Sequence, residues 1–189
     1  MKRIALIPGD GIGVDVLVEA QKVLELLVEA RGLDLELHSM DYGAERFLKD
    51  GVTLPPRELD AIRTDFAAVL LGALGDPRVP DMRHARDILF GLRFGLDLYI
   101  NLRPIKCLDD RLVPLKDRTA KDIDFVVLRE NTEGLYADVG GIFKKGTADE
   151  VALNEDVNTR KGVERILRAA FLQARAGGRK KVTMSDKSN

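Results

Sequence analysis

Residues 3–15 read RIALIPGDGIGVD. Four consecutive apolar residues, Ile4 to Ile7, are closed by Pro8 and Gly9. A run that is apolar at every position, rather than at alternate ones, predicts a strand covered on both faces, as in a parallel sheet. From Val14 to Arg31, Leu17, Ala20, Leu24, Leu27 and Val28 recur at helical spacing, and Gly32 stops the pattern. Strand, glycine-rich turn and helix, in that order, open an α/β fold. Backbone N–H groups at such a turn suit an anion or a nucleotide. The spacing departs from the dinucleotide fingerprint, because Val14 stands where the third motif glycine would sit. A tight turn that simply needs glycine explains the stretch equally well.

The same rhythm continues outward. LDLELHS (33–39) alternates with period two and predicts a half-buried strand. Short helices are expected over 43–50, where Gly51 ends the pattern, and over 57–63 after Pro55-Pro56. FAAVLLG (66–72) reads as a second fully buried strand. This β-α-β-α-β order argues for a sheet with helices on its faces. Beyond it, RDILFGLRFG predicts a helix, LDLYINLRPIK a strand, and DIDFVVLREN (122–131) another strand that is apolar within and polar at its exit. Residues 137–157 suit a β-hairpin or arm, and 159–178 a helix with Val163, Ile166, Leu167, Ala170 and Phe171 on one face. The terminal KKVTMSDKSN starts as a strand, with Val182 and Met184 alternating, and turns polar at Ser185. The composition shift near 100–120 marks the domain boundary.

Composition narrows the function. Thirty basic against thirty-one acidic residues leave a net charge of -1, which removes any bulk electrostatic case for nucleic acid or a membrane surface. No apolar stretch approaches the ~20 residues that span a bilayer, and the apolar run at the N-terminus is too short for a signal peptide. The single cysteine, Cys107, fits a reducing compartment. A cytoplasmic protein without a nucleic-acid or membrane partner is the expectation.

Three further stretches carry chemistry. Arg93, Arg103 and Arg129 end predicted elements, and a guanidinium fork suits carboxylates. Three converging arginines would fit a substrate with two or more carboxylates; ion pairs with Asp87, Asp97 and Glu130 are the alternative. RENTEGLY (129–136) brings an arginine, two carboxylates, an amide and Tyr136 to a strand exit, where open α/β sheets place ligands. In the terminal SDKSN, Lys187 would serve as a base if its pKa were lowered.

Together LIPGDGIG, LRFGLDLYINLRPIK, DFVVLRENTEGLY and SDKSN resemble the N-terminal half of the isocitrate/isopropylmalate dehydrogenase family, the metal-dependent β-decarboxylating dehydrogenases. The likeness runs from residue 3 to the last residue, and within the family is greatest to 3-isopropylmalate and tartrate dehydrogenases. It implies an isopropylmalate dehydrogenase-like α/β fold, a mixed sheet flanked by helices, cut off before the fold is completed. Residues 1–99 would belong to the large domain, and 100–189 to the smaller one with its arm at 137–157. Arg93, Arg103 and Arg129 match the arginines that hold the malate-type carboxylates. Tyr136 matches the tyrosine that protonates the enolate, and Lys187 the lysine, supplied by the partner subunit, that helps remove the hydroxyl proton. Asn189 matches an asparagine near the nicotinamide, while Ile12 in the loop 9–13 and Gly72, Ala73 and Leu74 fall on the cofactor side.

The implied reaction is oxidative decarboxylation of a small 2-hydroxy di- or tricarboxylic acid in a homodimer with a shared site. NAD is the expected cofactor, with NADP the other option, alongside Mg2+ or Mn2+. Leucine biosynthesis from 3-isopropylmalate is the leading assignment, then tartrate or malate, then isocitrate or homoisocitrate. Arg86 stands where the best-known isopropylmalate enzymes carry an acidic residue, so the substrate's third substituent stays open; Leu89 and Phe90 would face it or join the core. The family's metal-binding aspartates and adenosine loop lie beyond Lys187, so no metal ligand is expected within this chain and the 189 residues alone are expected to be inactive. A non-catalytic half-enzyme that binds a nucleotide or a subunit is the reading from another class.

Overall fold

The computed structural model describes residues 1–186, and the chain divides into two compact units, Met1–Asp97 and Leu98–Asn189. In the first unit, β1 (Lys2–Gly9) is the centre of a three-stranded parallel sheet, flanked by β2 (Leu35–Ser39) and β3 (Ala68–Ala73). The register pairs Ile4 with Leu37 on one side and with Ala68 on the other. Being central, β1 buries Ala5, Leu6 and Ile7 almost completely, as its uninterrupted apolar run requires. β3 is only half-buried rather than fully so, because β1 is its only strand partner among the described residues.

Four helices accompany this sheet: α1 (Ile12–Arg31), α2 (Ala44–Asp50), α3 (Pro56–Asp65) and α4 (Arg83–Gly95). α1 and α2 stop at Gly32 and Gly51, whose φ values of 62° and 72° favour glycine. α3 begins with Pro56 in its first turn, where a missing N–H costs nothing. α1 buries Leu17 but leaves Leu27 exposed, with Val16, Val23 and Leu26 exposed beside it. The core is built from Ala5, Ile7, Met40, Tyr42, Ile62, Ile88 and Leu92. Ile88 and Leu92, one turn apart on α4, enter it, while Leu89 lies off that face and is exposed.

The second unit holds two antiparallel pairs. β4 (Ile100–Lys106) pairs with β5 (Asp124–Glu130), and β6 (Gly134–Phe143) with β7 (Val151–Val157), the hairpin read from the sequence. α5 (Arg160–Ala176) packs on β5. Its inward side runs through Gly162, Arg165, Ile166 and Ala169, whereas Val163 and Phe171 are exposed. No apolar side chain of this unit is fully buried among the described residues. Residues 179–186 form no strand, contrary to the sequence pattern, and Met184 is exposed. A strand is held by ladder hydrogen bonds to a neighbour, and no described strand pairs with this segment. No described helix is long and apolar enough to cross a membrane.

Candidate active site

In an antiparallel pair, directly opposed residues share a face and alternate residues return to it. β4 and β5 align Asn101 with Arg129 and Arg103 with Val127. Asn101, Arg103 and Arg129 therefore stand on one face, and β5 turns Val126, Leu128 and Glu130 the other way. The second set is the more buried, and Glu130 meets α5 through Arg165. The arginine face is thus the one turned away from α5.

On that face Arg103 Nε donates to Asn101 Oδ1 at 2.8 Å, and Asn101 Nδ2 donates to Asn131 Oδ1 at 3.3 Å. Arg129 Nη2 donates to Tyr136 Oη at 2.7 Å, with the guanidinium 5.0 Å from the ring centroid. Tyr136 is half-buried, and both arginines are exposed. Neither Arg103 nor Arg129 forms an ion pair with a carboxylate among the described residues. The sequence left two partners for these arginines, a substrate or nearby acids; the second, including Glu130 for Arg129, is not realised.

The two carboxylates of RENTEGLY anchor the exit loop instead of facing a ligand. Glu130 accepts from the amides of Thr132 (2.7 Å) and Glu133 (2.6 Å) and from the Thr132 hydroxyl (2.8 Å). Arg165 Nη2 reaches Glu130 at 3.0 Å, and the Arg165 guanidinium lies 4.5 Å from the Tyr99 ring centroid. Burial raises the Glu130 carboxyl's pKa, but the Thr132, Glu133 and Arg165 donors outweigh it and hold the group below its ordinary value. Glu133 accepts from the Thr159 amide (2.8 Å) and hydroxyl (2.6 Å), while Thr159 itself caps α5 by accepting from the Gly162 amide. Asn131 is tied to the residues just before β4 by donating to the Leu98 and Tyr99 carbonyls. Arg129 and Tyr136 thus sit at the two ends of a loop held by bonds to Glu130, Asn131 and Glu133.

In the first unit the glycines explain the local fold. A Cβ on Gly72 would stand 2.0 Å from the Pro8 carbonyl oxygen, and one on Gly13 would stand 2.4 Å from the Ala73 nitrogen. β1, its exit turn and the end of β3 therefore pack backbone against backbone, so these glycines serve close approach. Gly11 differs: its φ is 49° and the space beside it is open, while Ile12 at the start of α1 is 66% exposed. The Gly-rich turn already spends two α1 amides internally, Gly13 on Asp10 and Val14 on Gly11. Leu74 is half-buried and Ala73 exposed. Arg93 lies in the last turn of α4, half-buried, 5.2 Å from the Phe90 ring centroid. Lys187 and Asn189 lie outside the described residues.

Sequence reasoning missed two groups. Arg165 falls on the inward stripe of α5, and a charged residue at that position was the available signal. Asp10 was passed over between two glycines; its side chain is 3% exposed and bonded to His84. The described residues contain no group of three or more His, Cys, Asp or Glu placed to hold a metal ion.

Residues 3–189 match the isocitrate/isopropylmalate dehydrogenase family. The chain belongs to that family. It is 46% identical over 187 residues to the 3-isopropylmalate dehydrogenase of Streptomyces coelicolor, covering 99% of this chain and 53% of that protein. Its identity to the Bifidobacterium longum 3-isopropylmalate dehydrogenase is 47%, with the same coverage. Among solved structures, isocitrate dehydrogenase from Methylococcus capsulatus superposes with a TM-score of 0.74 at 35% identity, over 95% of this chain and 49% of that one. A β-decarboxylating dehydrogenase from Thermococcus kodakarensis in its apo form gives 0.64 at 35% identity, over 95% and 47%. The chain spans about half the length of the relatives it matches.

Proposed function

We propose that this chain forms the substrate-gripping half of an enzyme that oxidatively decarboxylates a malate-type 2-hydroxy acid, with 3-isopropylmalate as the substrate. The observation that carries the reading is the Arg129–Tyr136 hydrogen bond on the face shared with Arg103. Two guanidinium groups without a carboxylate partner among the described residues suit the carboxylates of a dianion. They would hold it so that reaction at C2 becomes effectively unimolecular. Arg93 is assigned to the same substrate from its match to the family motif.

Tyr136 is the proton donor in this scheme. Its Oη accepts from Arg129, so the phenolic O–H is directed away from that arginine. Loss of carbon dioxide leaves an enolate, and transfer of the Tyr136 proton to carbon completes the product. Positive charge on Arg129 beside Oη stabilises the phenolate that remains. Lys187 and Asn189 are assigned by the same match to removal of the hydroxyl proton and to the nicotinamide.

The open carboxyl end of the parallel sheet fits a dinucleotide, because Gly11 leaves space and Ile12 and Ala73 are exposed there. Ile12, Gly72, Ala73 and Leu74 would hold NAD, which when bound supplies the hydride acceptor. The described residues do not form a divalent-cation site, and the Mg2+ or Mn2+ of the proposed enzyme would be held by residues outside them. We place the protein in the cytoplasm as a homodimer with a shared site, and expect residues 1–189 alone to be inactive.

Assignment to 3-isopropylmalate rests on the names of similar relatives and on Leu89 and Phe90, apolar residues on α4 that are exposed and half-buried respectively and lie outside the core formed with Ile88 and Leu92. The test is nicotinamide reduction by the natural gene product against isopropylmalate, tartrate, malate, isocitrate and homoisocitrate. Highest kcat/KM on 3-isopropylmalate supports the assignment. Preference for another acid of the panel overturns the substrate, and turnover of none overturns the enzyme reading.

A further inference from the structure

Asp10 sits at the centre of a buried bonding arrangement that the proposed chemistry does not use. Its backbone N–H donates to the Ala73 carbonyl at 2.7 Å. Its Oδ1 accepts from the Ala44 amide at the start of α2. Its Oδ2 accepts from the Gly75 amide at 2.8 Å and lies 2.8 Å from His84 Nε2 on α4. One side chain thus joins the exit of β1, the turn after β3, the beginning of α2 and the first turn of α4. In a parallel sheet these are the elements that border the ligand side. The arrangement closes tightly, since a Cβ on Gly43 would stand 2.7 Å from Asp10 Oδ1.

His84 is the costly member. Its side chain is 0% exposed, and its ring stacks on Phe47 of α2 with centroids 5.9 Å apart. With both Asp10 oxygens acting as acceptors, Nε2 carries the proton between them. Nδ1 is buried and finds no hydrogen-bond partner among the described residues. A buried polar atom without a partner lowers stability, and a well-packed apolar residue at the same place would avoid that loss. A residue that breaks a local rule in this way points to a task other than packing. The task that the geometry offers is to hold Asp10 Oδ2 on the Gly75 amide. The adjoining turn is braced as well: Asp76 bonds Arg78, which holds its carboxyl down at about 2, and Arg78 reaches Glu45 on α2.

We infer that Asp10 and His84 form a buried positioning pair that fixes the 73–75 turn against α2 and α4, and so sets the affinity for the nicotinamide dinucleotide rather than the chemical step. The assignment of that turn to the dinucleotide rests on the function proposed above. The pair's effect on the turn rests on geometry alone.

The test uses the natural gene product with His84→Leu and His84→Gln. Glutamine can place an amide N–H where His84 Nε2 stands; leucine cannot. His84→Leu is expected to raise the KM for the dinucleotide on the order of tenfold, the scale of one buried charge-assisted hydrogen bond. The KM for the acid and kcat should stay within about threefold. The Gly75 amide should exchange with solvent at least about tenfold faster, and His84→Gln should restore both readouts. Equal damage from both substitutions, a common shift of kcat and both KM values, or unchanged Gly75 exchange would overturn the pair. Faster Gly75 exchange with an unchanged dinucleotide KM would overturn its role in cofactor affinity. Should the unaltered protein reduce no nicotinamide with any malate-type acid, the functional reading fails, and Gly75 exchange still decides whether the pair fixes the turn.

Discussion

Replacing Arg165 by alanine removes the 3.0 Å ion pair with Glu130, the hydrogen bond to the Thr132 hydroxyl and the cation–π contact with Tyr99 together. The side chains of Arg165 and Glu130 are 16% and 18% exposed, so the pair is largely sheltered. Breaking a fully buried pair costs about 3–5 kcal/mol. Glu130 would keep the Thr132 and Glu133 donors, so its charge is not orphaned and the electrostatic loss falls to about 2 kcal/mol. Loss of the guanidinium from the Tyr99 ring adds roughly 0.5–1 kcal/mol. Urea unfolding of the natural gene product should therefore show a fall of about 2.5–3 kcal/mol with an unchanged m value. Because the folded-state pKa of Glu130 is depressed, its stabilisation is present above the ordinary glutamate value, about 4.3. It is lost as pH falls through the lower folded value. Stability of the unaltered protein should accordingly drop more steeply below pH ~4.3 than that of Arg165→Ala. A loss below about 0.5 kcal/mol, the scale of a solvated surface pair, together with an unchanged acid profile, would refute the anchoring of the exit loop through Arg165.

Tyr136→Phe should cut kcat by on the order of a hundredfold or more while moving substrate KM little, as expected for loss of a general acid; intact turnover would remove Tyr136 from its role. Ile88→Ala opens a cavity beneath a side chain that is 0% exposed and should cost about 3 kcal/mol in thermal or urea unfolding. Gly72→Ala drives a methyl against the Pro8 carbonyl, and should destabilise by roughly 1–3 kcal/mol or shift β3 on β1, which a crystal structure of the variant would show.

Much of this was legible in the residues, and for physical reasons. An unbroken apolar run such as Ile4–Ile7 fits few environments other than a central parallel strand. Pro56 and Gly51 act through backbone geometry that is local to them. Burial on β3 was overread because the sequence does not say how many neighbours a strand finds. On α5 the stripe was read from side-chain type alone, which placed Val163 and Phe171 inward and left Arg165 out. Its burial depends on Glu130 and Tyr99, distant in sequence and brought near by β4 and β5. Asp10 was hidden for the same reason, since Ala44, Gly75 and His84 lie 34, 65 and 74 residues away. The glycines around it have two uses that the sequence could not separate: Gly13 and Gly72 serve backbone contact between β1 and β3, while Gly11 has open space beside it.

The Arg103, Arg129 and Tyr136 face is proposed to serve an oxidative decarboxylation. Incubating the natural gene product with 3-isopropylmalate and NAD, and counting carbon dioxide against reduced nicotinamide, tests that role. One carbon dioxide is expected for each nicotinamide reduced, with the rate lost in Tyr136→Phe. Nicotinamide reduction without carbon dioxide release, or neither with any malate-type acid, would contradict it.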